Sequence, residues 1–229
     1  MKFHSNMFGW DYVWRDFADS KGGEVVSDTT KENNPILHVF IPVEGSEASI
    51  RLTPFSIKGK SKGSGTSASL HYSPKEHFSF YIRTEKGVDQ IGKAFGLQDI
   101  ILGDPDFDKQ FLIQGTDEGK VRNLFADMHL RDVILQNGLS ELRLVTDGAQ
   151  LPAGHKLPTG RHAIVYSTEK VLDKFEQLEA IYSILTQVVH RIGAIPALVG
   201  EEEVFSVEEE QEEEKSQGNR LHSPLLDMA

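Results

Sequence analysis

An α+β fold is what this sequence predicts: an antiparallel, strand-rich N-terminal half, a mixed helix and strand C-terminal half, a long helix near the end and a disordered acidic tail. Three observations carry that expectation. Residues 36–84 hold short apolar runs, several with period-two alternation, spaced too closely for the crossover helices of a parallel sheet. Between Thr168 and Ile192, apolar side chains recur at helical spacing through Leu172, Phe175, Leu178, Ile181, Tyr182, Leu185, Val188, Val189 and Ile192. Residues 201–219, EEEVFSVEEEQEEEKSQGN, are too rich in like charge and too poor in apolar groups to collapse, so disorder is expected there.

Taken in order, the first 20 residues have a helical grain, with Phe8, Tyr12, Trp14 and Phe17 on a wide apolar face and Lys21-Gly22-Gly23 as the stop. Packing on a sheet is the expected role of that face; Asp11, Asp16 and Asp19 argue against adsorption to a membrane. ILHVFIPV (36–43) predicts a strand ending near Pro42, and ASIRLTPFSI (48–57) a second one, broken near Pro54. KGKSKGSGTSASLHY (58–72) begins as a flexible basic loop and resumes strand spacing at Ala68, Leu70 and Tyr72. HFSFYIRT (77–84) completes an expected meander of three or four antiparallel strands.

The pattern then changes. GVDQIGKAFGLQD (87–99) predicts a helix with Val88, Ile91 and Phe95 on one side, and Phe111–Ile113 a short apolar run. Residues 116–138 predict one broken helix or two short ones, with Thr116 as the cap. SELRLVTDG (140–148) and RHAIVYST (161–168) predict two more strands around a loop containing Gly148, Pro152, Gly154 and Pro158. The long helix closes the fold at Gly193 and Pro196. The organisation expected is a strand-rich region over 1–86 with its N-terminal helix, a mixed α+β region over 87–200 packed with it as one unit, and the acidic tail over 201–229. No internal repeat is evident.

Composition excludes several functions. The net charge of -11 is mostly local, because residues 201–229 hold ten acids and two bases, which leaves 25 acids and 22 bases before them. A body so near neutrality carries no strong nucleic-acid signal, and aromatics are not interleaved with a basic stripe. The absence of cysteine removes thiolate catalysis, disulfides and thiolate metal centres. No apolar run approaches the roughly 20 residues of a transmembrane helix. The N-terminus lacks a secretory h-region, since Asp11, Arg15 and Asp16 interrupt it, so the expected setting is cytoplasmic.

The densest acidic cluster outside the tail is GDPDFDKQFLIQG (103–115), with Asp104, Asp106 and Asp108 at alternate positions. A calcium loop would need glycine at the sixth position and a bidentate acid at the twelfth, where this chain has Lys109 and Gly115. Asp104-Pro105 fits a bend instead, because proline fixes the backbone and aspartate accepts nearby amides, with Phe107 and Phe111 fastening the bend to the core. GDPDFDKQFLIQG, preceded by IGKAFGLQD and followed by DEGKVRNLFA, resembles a group of uncharacterised prokaryotic proteins with a GDxxFDxxF-type segment after a strand-rich half. The resemblance implies a coherent fold and no particular reaction, cofactor or catalytic residue, and the acidic tail departs from it.

The remaining chemical signals are sparse. No metal spacing joins His71, His77, His155, His162 and His190. The glycine-rich 59–69 segment contains neither a phosphate-binding nor a nucleophile-elbow motif, although Lys58, Lys60 and Lys62 would attract an acidic group. Val204, Phe205, Leu221, Leu225, Leu226 and Met228 are apolar islands that a partner would use to anchor the tail. The sequence therefore favours a non-enzymatic protein-binding or adaptor-like role through the folded body, the tail or both. The alternative is a metal-dependent hydrolase in which Asp104, Asp106 or Asp108 meets His71 or His77. No residue is assigned to catalysis or to a cofactor, and the metal question stays open.

Overall fold

The computed structural model describes residues 9–29, 35–57, 64–73, 78–84, 98–146, 148–152, 156–157, 159–193 and 198. Of the helix predicted over 87–99, residues 87–97 lie outside these residues, as do the basic loop at 58–63 and the acidic tail; Gln98–Asp99, its expected last two residues, are instead a short strand.

The chain opens with α1 (Trp10–Lys21), which buries Val13, Trp14, Phe17 and Ala18. Tyr12, expected on the apolar face, is instead exposed, because the buried stripe falls one position later. Gly22 ends the helix in the left-handed region at φ 68°, where a side chain would be strained. Gly23 then enters β1 (Glu24–Thr29), a strand the sequence reading did not assign.

β1 pairs in unbroken register with β2 (Pro35–Pro42), and β2 pairs with β3 (Ser49–Ser56). The break expected at Pro54 does not occur. The β2 ladder has already stopped at Val39↔Leu52, so Pro54 sits where β3 pairs with one neighbour, a position that tolerates a missing amide hydrogen. β4 (Ser64–Tyr72) follows on the far side of β3.

The expected fourth strand of the meander, β5 (Phe80–Thr84), lies elsewhere. It pairs with β7 (Phe111–Gly115) and β8 (Glu141–Val145), and the neighbour of β4 is β9 (His162–Thr168). With β6 (Gln98–Asp99) on β7, the result is one nine-stranded sheet in the order β1-β2-β3-β4-β9-β8-β5-β7-β6, antiparallel throughout. The β8–β9 pair is thus wedged between two earlier sets of strands, an arrangement that local alternation does not encode.

The five helices among the described residues lie on one face. Besides α1 they are α2 (Pro105–Gln110), α3 (Glu118–Leu124), α4 (Met128–Asn137) and α5 (Phe175–Arg191). Their buried side chains join a single apolar cluster with one row of sheet residues: Val39, Leu52, Ala68, Tyr166, Leu142, Ile82 and Ile113 lie opposite one another across successive strands. The cap expected from Thr116 comes from Asp117, whose carboxylate accepts from the Lys120 amide at 2.9 Å, while Thr116 Oγ1 accepts from the Ser79 amide. The long helix starts at Phe175, later than the periodicity predicts. Leu172 is buried before it, and its carbonyl accepts from Trp14 Nε1 at 2.7 Å, which ties α1 to the entry of α5.

Candidate functional site

Two places have the chemistry to be considered: the aspartate cluster singled out from the sequence, and the sheet face turned away from the helices.

Asp104 is the N-cap of α2. Its Oδ1 accepts from the Phe107 amide at 3.2 Å, and Pro105 occupies the first turn, where a missing amide hydrogen costs nothing. Its Oδ2 accepts from Arg131 Nε at 2.8 Å, and Arg131 also donates to the Phe125 carbonyl at the end of α3. The Phe107 amide first, and the Arg131 guanidinium second, hold the Asp104 carboxyl below the ordinary carboxylate range. Asp108 faces the other way: its oxygens accept from the amides of Leu102 at 2.9 Å and Gly103 at 2.8 Å. Asp106 is exposed.

Phe107 and Phe111 pack with their rings tilted at 49° and 4.8 Å between centroids, and both are buried, as the bend required. The bend takes the form of a short capped helix. Two of its three carboxylates are spent on backbone amides, and they diverge rather than converge. Among the described residues, no group of three or more histidines and carboxylates is placed to hold a metal ion.

The structure also separates the histidines from this cluster. His71 is on β4, four strands from β7 in the sheet order, or about 19 Å at roughly 4.8 Å per strand. It also lies on the opposite face: Leu70 and Tyr72 belong to the helix-side core, whereas His71 is paired with Ala163 of the far side. His162 is buried edge-on to Tyr72 at 5.7 Å, and His190 is exposed near the end of α5. His77 and His155 lie outside the described residues.

The second place was not legible in the sequence. Reading across the strands on the face away from the helices gives Glu24, Phe40, Arg51, Ser69, Val165, Arg143, Tyr81, Gln114 and Asp99, each opposite the next over the whole width of the sheet. The adjacent row pairs Val26 with His38, and then Thr53, Ser67, Ser167, Glu141 and Arg83 in succession. One face is thus hydrocarbon and the other is hydroxyl, guanidinium, amide and carboxylate.

Its polar groups engage one another. His38 Nδ1 is 3.0 Å from Thr53 Oγ1 and 3.4 Å from Arg51 Nη2, and the Arg51 guanidinium lies 5.7 Å from the centre of the Phe40 ring. Arg143 Nε lies 3.0 Å from Glu141 Oε1, and Gln114 donates to Asp99 at 2.8 Å. The Tyr81 hydroxyl donates to Glu141 at 3.4 Å, and burial, with Glu141 adding to it, raises its pKa. At the β8–β9 end this face is covered by Leu151 and Leu157, which pack with Val145, Ala163 and Val165.

A shallow cleft of about 350 Å³ lies between the β2–β3 turn and α5, lined by Val43, Glu44, Tyr182, Thr186, His190 and Arg191. Tyr182 is committed to the Pro42 carbonyl and Arg191 to Asp127, so the cleft walls are already tied into the fold.

No family model matches the chain, and neither the curated proteins nor the solved structures contain a match to it. Among the described residues, no helix is long and apolar enough to cross a membrane.

Proposed function

We propose that this chain is a non-enzymatic cytoplasmic protein that binds another protein, accepting an extended segment of its partner along the free edge of β1. The observation that carries this reading is the regularity of that edge. β1 runs for six residues in continuous register with β2, from Glu24↔Phe40 to Thr29↔Pro35, and its other side has no strand neighbour among the described residues. Sheets protect such edges with proline, charged side chains, a bulge or extreme shortness. EVVSDT has no proline, lysine or bulge and carries charge only at Glu24 and Asp28, whereas β6 at the opposite end is only two residues long. An edge so lightly protected offers main-chain hydrogen bonds for affinity and alternate side chains for selectivity. Val26, 45% exposed, would meet an apolar group, and Glu24 favours a basic neighbour.

The acidic segment 201–229 is the second element that supports binding, through its carboxylates and its apolar islands. We also propose that residues 1–86 and 87–200 act as one unit. Hydrogen bonding of β5, from the first region, to β7 and β8 of the second supports this.

The test is quantitative affinity capture with the full chain, Val26→Lys and a variant lacking residues 201–229. A lysine on the edge strand should leave the denaturation midpoint unchanged and lower recovery of a specific partner by about tenfold, equivalent to about 1.4 kcal/mol. Deleting the tail should lower it less. Equal recovery by all three proteins would refute both contacts.

A further inference from the structure

The side chains of β1 specify more than an available edge. Glu24, Val26 and Asp28 alternate onto the sheet face turned away from the helices, and all three are exposed. Val25 and Ser27 alternate onto the other face, where their cross-strand neighbours Val39 and Leu37 belong to the apolar cluster and Val25 packs against it. One side of the strand thus reads acid, apolar, acid, and the other reads apolar, hydroxyl.

We propose that the segment taken by this edge is basic, with a fixed spacing and direction. Its order is Lys or Arg, then Ser or Thr, then two β-branched residues, then Lys or Arg, running antiparallel to β1. The inference rests on the β1 reading above and names the chemistry of the partner.

Charge fixes the two ends. Glu24 and Asp28 lie opposite Phe40 and Ile36 of β2, neither of which is charged, so the paired side of the strand places no cation directly across from either carboxylate. Opposite charges facing one another across a ladder stabilise it and like charges weaken it. The same two acids therefore repel an acidic strand, lose hydration against a neutral one and attract a strand with a base at both positions.

Spacing fixes the conformation. Four residues of strand separate Glu24 from Asp28 by about 13 Å, a distance that bases four residues apart reproduce on a second strand. On a helix the same two bases are separated by only about 6 Å along the axis.

The inner positions fix the direction. Antiparallel to β1, the residue before the second base faces Val25, where a β-branched side chain extends the apolar layer. The residue after the first base faces Ser27, where a hydroxyl meets a hydroxyl. Every ladder of this sheet is antiparallel, so an added strand continues the same pattern.

A second copy of the chain fits the edge poorly. Two-fold pairing centred on Val26 sets Glu24 against Asp28 at both ends, and centring on Ser27 sets Val26 against Asp28 twice.

The test titrates a fluorescein-labelled peptide, GKTVVKG, with the full chain and reads fluorescence anisotropy. The reversed peptide GKVVTKG has the same composition and should bind several-fold more weakly, whereas charge attraction to the glutamates of 201–214 does not distinguish the two. Glu24→Lys combined with Asp28→Lys should weaken GKTVVKG by about tenfold and make GETVVEG the better ligand. Both side chains are exposed, so the denaturation midpoint should stay unchanged. Two N-methylated forms of GKTVVKG, one for each alternate set of amides, check strand addition: one should lose binding and the other keep it. If the charge preference does not invert while the two methylated forms still differ, this inference falls and the edge reading stands. Equal binding of the two methylated forms would overturn both. No binding of GKTVVKG at about 1 mM would also overturn the inference, showing the edge closed by another segment of this chain or by a second copy; sedimentation separates those occupants, and the Val26→Lys capture then decides the edge reading by itself.

Discussion

The most informative single position is Asp104, because replacing it in two ways separates structure from site. Alanine removes both of its bonds: the cap to the Phe107 amide and the pair with Arg131. An N-cap aspartate contributes about 1 kcal/mol over alanine. The Arg131 pair, with side chains 14% and 26% exposed, adds about 0.5–1 kcal/mol after solvent screening. Asp104→Ala should therefore destabilise by about 2 kcal/mol, a factor of about 30 in the folding equilibrium. Asparagine caps a helix as well as aspartate does but carries no charge, so Asp104→Asn should cost only the pair, about 0.5–1 kcal/mol.

The pH dependence follows from the lowered carboxyl. A group whose pKa is depressed by folding contributes fully above its unfolded value, about 3.9, and loses that contribution as pH falls through its folded value. The gap between the native chain and Asp104→Asn should thus be constant at neutral pH and close below about pH 4. Urea denaturation at a series of pH values measures it. A metal or catalytic cluster behaves oppositely, since neutralising one of several converging carboxylates relieves repulsion. If Asp104→Asn were more stable than the native chain, or as damaging as Asp104→Ala, the capping argument would fall and the hydrolase reading would gain.

Two further substitutions examine how the cluster and the first helix are held. Phe107→Ala empties a fully buried ring position between Phe111 and Phe125 and should cost about 3–5 kcal/mol, read as a lowered urea midpoint with an unchanged slope. Trp14→Phe keeps most of the buried ring but leaves the Leu172 carbonyl without its 2.7 Å donor; a loss of about 1–3 kcal/mol is expected from thermal unfolding, and no loss would mean that water takes the indole's place.

What the sequence revealed and concealed follows the range of the interactions. The bend at Asp104 was legible because proline, aspartate and two phenylalanines within a few residues determine it. The end of α1 at Gly22 was legible for the same reason, as was the helical spacing of α5. Pro54 misled because its tolerance depends on where β2 stops, which no local pattern records. β1 escaped notice because Val25 and Val26 lie together and blur alternation. The greatest loss was the polar face. Phe40, Arg51, Ser69 and Arg143 are scattered over more than 100 positions and become one row only when distant strands pair in a particular register. The reading of His71 as a neighbour of the aspartates failed for the reciprocal reason: β9, β8 and β5 intervene between β4 and β7.

The unequal ends of the sheet have a consequence for assembly. In polymer terms the described sheet is monofunctional: it has one long terminus able to add a strand, at β1, and a two-residue stub at β6 that cannot propagate. A unit of that kind grows by a single step and then stops. Two copies meeting β1 to β1 would form a closed pair with a stub at each extremity, since the described strands offer no second long edge for head-to-tail growth.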